Sequence, residues 1–154
     1  MKRIKVSKNF KLDEFIHPDI YNQFGEKSLR YLDHRLIEIA QYMRDLVGSS
    51  VTINNWATGG SFINSGLRDF RNPHKKGSMS RHYFGSCIDL KFNMNSEIVY
   101  DRYIKNEGHL YVLMQKGLTT VEDIEYTKGK DGRNGWLHLS TECTGKDELV
   151  IIKP

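Results

Sequence analysis

The chain has 154 residues, 38% of them hydrophobic and 27% charged, with a formal net charge of +4. That length suffices for one domain with a core of its own, expected to span residues 1–154, and the composition is that of a soluble globular chain. No apolar run approaches the ~20 residues of a membrane span, and the scattered cations favour anionic partners without marking a nucleic-acid face.

The basic start, Met1-Lys2-Arg3-Ile4-Lys5, lacks the apolar stretch of a secretory leader, so synthesis in the cytoplasm is expected, with any exit by another route. Asn9 to Phe15 reads as a short strand or turn leading into a helix. From Ser28 to Val47, apolar residues at Leu29, Leu32, Leu36, Ile39, Ala40, Met43, Leu46 and Val47 predict one long amphipathic helix, capped by Ser28 and ended by Gly48. Val51 to Ile53 predicts a strand. Residues 54–81 are polar and Gly-rich, a long loop of the kind that carries function. Cys87 to Phe92 alternates as a strand. Asn95 or Ser96 starts a helix to about Asn106, closed by Gly108, and a second helix runs from about His109 to Lys116, stopped by Gly117. Thr119 to Tyr126 and Trp136 to Thr141 predict two strands joined by a turn-rich loop, and Leu149 to Ile152 a last one. Helices and antiparallel strands mix without a βαβ rhythm, which predicts an α+β fold.

Chemistry concentrates in Ser80-Arg81-His82-Tyr83-Phe84-Gly85-Ser86-Cys87-Ile88-Asp89. Gly85 lets the chain turn, so that His82 on a loop and Asp89 on the next strand converge. In Trp136-Leu137-His138-Leu139-Ser140, period-two alternation puts His138 on the polar face of a strand. Two histidines and a carboxylate form a catalytic zinc set with a fourth position open for water. The remaining histidines, His17, His34, His74 and His109, are expected to be structural. Cys87 is expected to be a packed thiol, a ligand only if the local backbone is irregular, and Cys87 and Cys143 form no disulfide framework.

The first segment resembles the Ser-x-His-x-x-Gly-x-x-x-Asp motif of the M15 metallopeptidases, which include D-Ala-D-Ala carboxypeptidases and phage L-alanyl-D-glutamate endolysins. Trp136-Leu137-His138 resembles the family's late Trp-x-His strand, and Ser65-Gly66-Leu67-Arg68 its upstream Ser-Gly-x-Arg. Asn9-Phe10-Lys11-Leu12-Asp13-Glu14-Phe15 and Ile53-Asn54-Asn55-Trp56 resemble segments of its small phage-type members. The resemblance implies a hedgehog/DD-peptidase-like fold, a small antiparallel sheet with helices packed against it. It also implies Zn2+ held by His82, Asp89 and His138. Arg68 is expected either to bind a substrate carboxylate or carbonyl, which its planar fork suits, or to form a salt bridge within the loop. Ser80 is expected to order the ligand loop.

The implied activity is zinc-dependent hydrolysis of peptidoglycan stem peptides by a monomeric, phage-type endolysin or virion-associated lysin, with no nucleic-acid partner and no membrane insertion. The general base that such hydrolysis needs lies three positions before the last histidine in many family members. Here that position is Gly135, which leaves Glu125 and Asp131 as candidates. The alternative is a catalytically inert zinc domain with a structural or partner-binding role.

Overall fold

Five short strands form one mixed sheet in the computed structural model, which describes residues 3–72, 79–130 and 135–153. They are β1 (Val51–Thr52), β2 (Cys87–Phe92), β3 (Thr120–Glu122), β4 (Leu137–Ser140) and β5 (Val150–Ile152), in the spatial order β1-β2-β4-β3-β5. The first four are mutually antiparallel where they pair, as expected, but β5 runs parallel to β3. Connectivity explains the difference. Both edges of β4 are taken, and its end at Ser140 lies beside the start of β3 at Thr120. The chain therefore re-enters along the free edge of β3 from the same end.

The helices are α1 (Pro18–Phe24), α2 (Arg35–Val47), α3 (Ser96–Val99), α4 (Glu107–Gln115) and α5 (Ile124–Thr127). The fold is thus α+β. The single helix expected over 28–47 is two pieces: a 3-10 segment at Gly25–Tyr31 and then α2, with Leu32 extended between them. Ser28 donates its hydroxyl to the Gly25 carbonyl at 2.6 Å instead of capping. Tertiary contacts override the helical periodicity here. Asp33 donates its N–H to the Gly85 carbonyl at 2.9 Å, and its carboxylate accepts the Arg35 N–H at 3.0 Å and the Thr141 hydroxyl at 2.7 Å. Gly48 ends α2 as expected, at φ 66°.

Three further boundaries shift, each for a capping reason. Asn95 caps α3 by accepting the Glu97 N–H, and the chain continues through a wide π turn at Tyr100–Ile104. Asn106 caps α4 by accepting the His109 N–H, which puts Gly108 inside that helix rather than before it. Asp123 caps α5, so β3 stops at Glu122 and Glu125 lies on a helical turn.

Alternation divides the sheet into two faces. Ile88 opposite Leu139 and Leu90 opposite Leu137 fill one face, all fully buried. They join Leu36, Ile39, Ala40 and Met43 of α2 and Phe10, Leu12, Phe15 and Ile16 of the N-terminal segment in one apolar cluster. Each of these side chains other than Ala40 contributes roughly 1.5–3 kcal/mol of transfer free energy. The opposite face carries Cys87 beside Ser140 and Asp89 beside His138. Among the described residues, no helix is long and apolar enough to cross a membrane.

Gly85 joins the broken helix to the polar face. It sits at φ 66°, and a Cβ there would overlap the Tyr31 carbonyl oxygen. Gly85→Ala should lower stability by about 2 kcal/mol or more, through left-handed strain and overpacking, as read by urea denaturation. Asp33 gives a pH signature. Burial alone would raise its pKa, but hydrogen bonds from Arg35 and Thr141 hold it below the usual aspartate range. A depressed carboxyl stabilises the fold above its unfolded pKa, and that contribution is lost as pH falls through the folded value. Asp33→Asn should therefore lose less stability than the parent protein between about pH 5 and 3, in denaturation series at each pH.

Candidate metal centre

The polar face is organised by the segment between β1 and β2. Trp56 donates its indole N–H to the carbonyls of Asp13 and Ile16, at 3.0 and 2.9 Å. Asn54, buried, accepts the Ser65 N–H at 2.9 Å, and Asn55 closes the turn by accepting the Phe62 N–H at 2.9 Å. Leu67 donates to the Phe15 carbonyl at 2.7 Å, and Gly66 is the residue that permits this, since a Cβ there would overlap that carbonyl. The segment is thereby laid along β2, where the Asp89 N–H donates to the Ser65 carbonyl at 2.7 Å.

This placement fixes His82. It lies in the 3-10 turn Arg81–Phe84, and its Nδ1 meets the Gly66 carbonyl at 2.9 Å. A carbonyl only accepts, so Nδ1 carries the proton and Nε2 offers a lone pair. Nε2 lies 3.4 Å from Asp89 Oδ2. The other Asp89 oxygen, Oδ1, lies 2.8 Å from His138 Nδ1. One carboxylate thus stands between two imidazoles whose ring centroids are 5.0 Å apart. Burial alone would raise the Asp89 pKa, but the imidazoles, His82 foremost, hold it well below the usual range. Burial pushes His82 down, which favours the neutral form a metal needs.

His82, Cys87 and His138 form a buried group that could hold a metal ion, with one donor atom from each lying within 4.8 Å of the others. Cys87 was expected as packing. The regular strand instead puts it on the Asp89 face, two residues away, and alternation alone carried that signal. Burial pushes its thiol pKa well up, with Asp89 adding to the effect. Two donor sets therefore share this point, one completed by Asp89 and one by Cys87. Donors about 2.0–2.2 Å from a tetrahedral ion sit ~3.3–3.5 Å apart, and the His82–Asp89 separation of 3.4 Å falls in that range.

The residue that sequence reasoning passed over is Glu122. Antiparallel register carries the row Asp89–His138 onward to β3, where Glu122 Oε2 lies 4.0 Å from His138 Nδ1. Burial raises its pKa, with His138 acting in the opposite sense. It lines a cavity of about 280 Å³ with Met79, Ser80, Arg81, His138, Ile152 and Lys153. The period-two pattern Thr120-Val121-Glu122 held this signal, but extending the strand to 126 obscured it.

The other candidates fall as follows. Glu125 is exposed on α5 and pairs with Lys128 at 2.8 Å. Asp131 and His74 lie outside the described residues. Gly135 packs so closely that a Cβ would overlap the Lys128 carbonyl and the Ser96 hydroxyl, so no acid fits there. Arg68 donates Nε–H to the Asn64 carbonyl at 2.7 Å, and among the described residues no carboxylate comes within ion-pair distance of its guanidinium. Ser80 precedes the ligand turn, its carbonyl accepting the Tyr83 N–H at 3.0 Å. His17 caps α1, while His34 and His109 bond to Leu29 and Tyr42. His17, Asp19 and Asp69 also gather, but Arg71 occupies the Asp69 carboxylate at 2.8 Å.

Comparison of the chain with protein-family models, with curated proteins and with solved structures found no match in any of the three.

The rival donor sets separate in a cobalt-substituted protein. We expect one ion per chain, no thiolate-to-cobalt charge-transfer band, and unchanged occupancy in Cys87→Ala. His82→Ala and His138→Ala should each lose the metal. A thiolate band that vanishes in Cys87→Ala would assign the ion to the cysteine set.

Proposed function

We propose that the protein is a zinc-dependent peptidase acting on the stem peptides of bacterial peptidoglycan, with His82, Asp89 and His138 as the zinc ligands. The observation that carries this reading is the cross-strand row: a buried carboxylate between two imidazoles, with a second, partly buried carboxylate 4.0 Å beyond. The donor chemistry fits zinc. It provides two nitrogens and one oxygen, a tautomer fixed by the Gly66 carbonyl, and a cavity beside His138 and Glu122.

When bound, zinc polarises a scissile carbonyl and lowers the pKa of a water to about 7. Glu122 takes the proton from the attacking water and delivers it to the leaving amine. Its raised pKa suits that exchange, since a base works best near the operating pH. Arg68, without a carboxylate partner among the described residues, holds an acceptor group of the peptide. Ser80 lines the cavity that holds Glu122 and His138. The resemblance to the M15 peptidases and their hedgehog/DD-peptidase-like fold supplies the substrate class and the phage-type lysin role. The basic pI of about 9.0 suits an anionic cell wall.

A second reading has its own observation. His82, Cys87 and His138 form a buried three-donor group, and Asp89 beside it would complete a closed four-donor set of the kind that structural zinc occupies. Such a site would hold the fold or a partner and hydrolyse nothing.

Purified muropeptides incubated with zinc-loaded protein, with and without chelator, and read by mass distinguish the two. Cleavage should require the metal. Glu122→Gln should reduce it about 10²–10⁴-fold with zinc retained, while Glu125→Gln stays near the parent rate. Loss of activity in Glu125→Gln or Asp131→Asn, with Glu122→Gln active, would move the proton shuttle to that residue. No cleavage by the zinc-loaded protein leaves the structural reading.

A further inference from the structure

A second cavity, of about 710 Å³, shares no lining residue with the one at His138 and Glu122. It is lined by Phe24, Glu26, Lys27, Leu29, Arg30 and His34, and so lies over the 3-10 segment Gly25–Tyr31. That segment runs for seven residues, whereas 3-10 runs beyond three or four are uncommon. With three residues per turn, side chains three apart eclipse one another. Lys27 and Arg30 therefore form one column, with Phe24 at its foot, and Glu26 and Leu29 form the next. An α-helix would fan the same residues apart by about 60° at each step.

Both cations of the column are exposed, ~6 Å apart along the axis. Among the described residues neither has a carboxylate within ion-pair distance, whereas Arg35, Arg71 and Arg81 are taken by Asp33, Asp69 and Glu142. Glu26 is the one acid among the lining residues. Beside the column runs a chain of rings. Phe24 meets Tyr31 edge to face with centroids 5.4 Å apart, and Tyr31 meets Phe70 at 5.5 Å. Tyr31 is 41% exposed and Phe70 38%, so the rings make a half-sunk shelf rather than projecting prongs. The shelf adjoins the turn that carries His82, because Gly85 at the end of that turn lies against the Tyr31 carbonyl.

We infer that this face binds an acidic polysaccharide, with sugar rings lying on Tyr31 and Phe70 and anionic groups meeting Lys27 and Arg30. The inference rests on the cell-wall reading for its setting, and adds a polymer that the protein grips beside the turn bearing His82. An aromatic face is negative and the C–H face of a sugar ring is slightly positive, so the two attract as well as exclude water. Exposed apolar surface rimmed by polar groups marks such contact sites, and the two unpaired cations supply the charge complement. Nucleic acid fits less well, since strong binders neutralise about 6–10 phosphates and this column offers two cations. A bilayer also fits less well, because interfacial segments sink ~5–10 Å into the headgroups and half-sunk rings do not reach that far.

The probes are polygalacturonate and its methyl ester, which share a sugar backbone and differ in charge, titrated into the full chain by calorimetry. The acid form should bind about 5-fold or more tighter, the sum of two exposed ion pairs. Lys27→Gln with Arg30→Gln should erase that difference, while the charge-matched pair Lys5→Gln with Lys146→Gln should keep it. Tyr31→Ser with Phe70→Ser should weaken both forms by about 5-fold or more. Phe70→Ser alone replaces that pair if the double variant fails to melt cooperatively, and should weaken both forms in the same direction. Equal affinity for acid and ester, an equal loss in the charge-matched pair, or undiminished binding without the rings would overturn the inference. Tighter binding to single-stranded DNA or to phosphatidylglycerol vesicles than to polygalacturonate would overturn it too. Polysaccharide binding without muropeptide cleavage would sink the peptidase reading and leave this face standing. Cleavage without polysaccharide binding would do the reverse.

Discussion

The architecture of the polar face depends on a single backbone approach. Gly66 lies against the Phe15 carbonyl with no room for a Cβ, and its own carbonyl accepts the His82 imidazole N–H at 2.9 Å. The first contact fastens the loop to the N-terminal segment, and the second fixes the tautomer of a histidine of the candidate metal group. Any residue larger than glycine must push the loop away from the core, and His82 would follow it. Asp89 is then placed from both sides, by its N–H on Ser65 and its carboxylate between the imidazoles. Hence apparently remote residues such as Asn54 and Trp56 bear on the chemistry. They hold the strip of backbone on which His82 rests.

The parts of this arrangement that follow local rules were legible in the sequence. Period-two alternation located β2 and β4 and put His138 on the polar face, and Gly85 marked the turn that brings His82 back towards Asp89. Gly48 and Asn95 marked helix ends for the reasons expected of a left-handed C-terminal residue and an Asx cap. What stayed hidden depended on partners far along the chain. Leu32 and Asp33 break a helical pattern because Asp33 has better partners in Gly85 and Thr141. Asp123 stops a strand because it caps a helical turn. That one boundary decided which acid faces His138, and it moved the candidate from Glu125 to Glu122. Cys87 is a different case. Its place beside Asp89 followed from alternation and needed no tertiary information.

The same strand offers three kinds of chemistry on one face: a thiol at Cys87, a carboxylate at Asp89 and an ammonium at Lys91. Their order along β2 sets a gradient. The buried thiol lies towards the closed end and the ammonium towards the cavity at Phe62 and Asn93. An ion held by Cys87 and one held by Asp89 would leave different parts of this face open. A site drawn to the thiol would be closed by protein donors, whereas one centred on the carboxylate would leave the cavity lined by Glu122 and His138 open to it.

The strand order β1-β2-β4-β3-β5 has a consequence in time as well as space. The row Asp89–His138–Glu122 is assembled from segments made early, last and between. A nascent chain holds His82 and Asp89 long before His138 emerges, and the two imidazoles meet only when β4 inserts between strands already made. Long-range pairing of this kind is slow compared with helix formation. The pair of imidazoles is thus withheld during translation, and a ribosome stalled before His138 holds a chain with one of the two imidazoles.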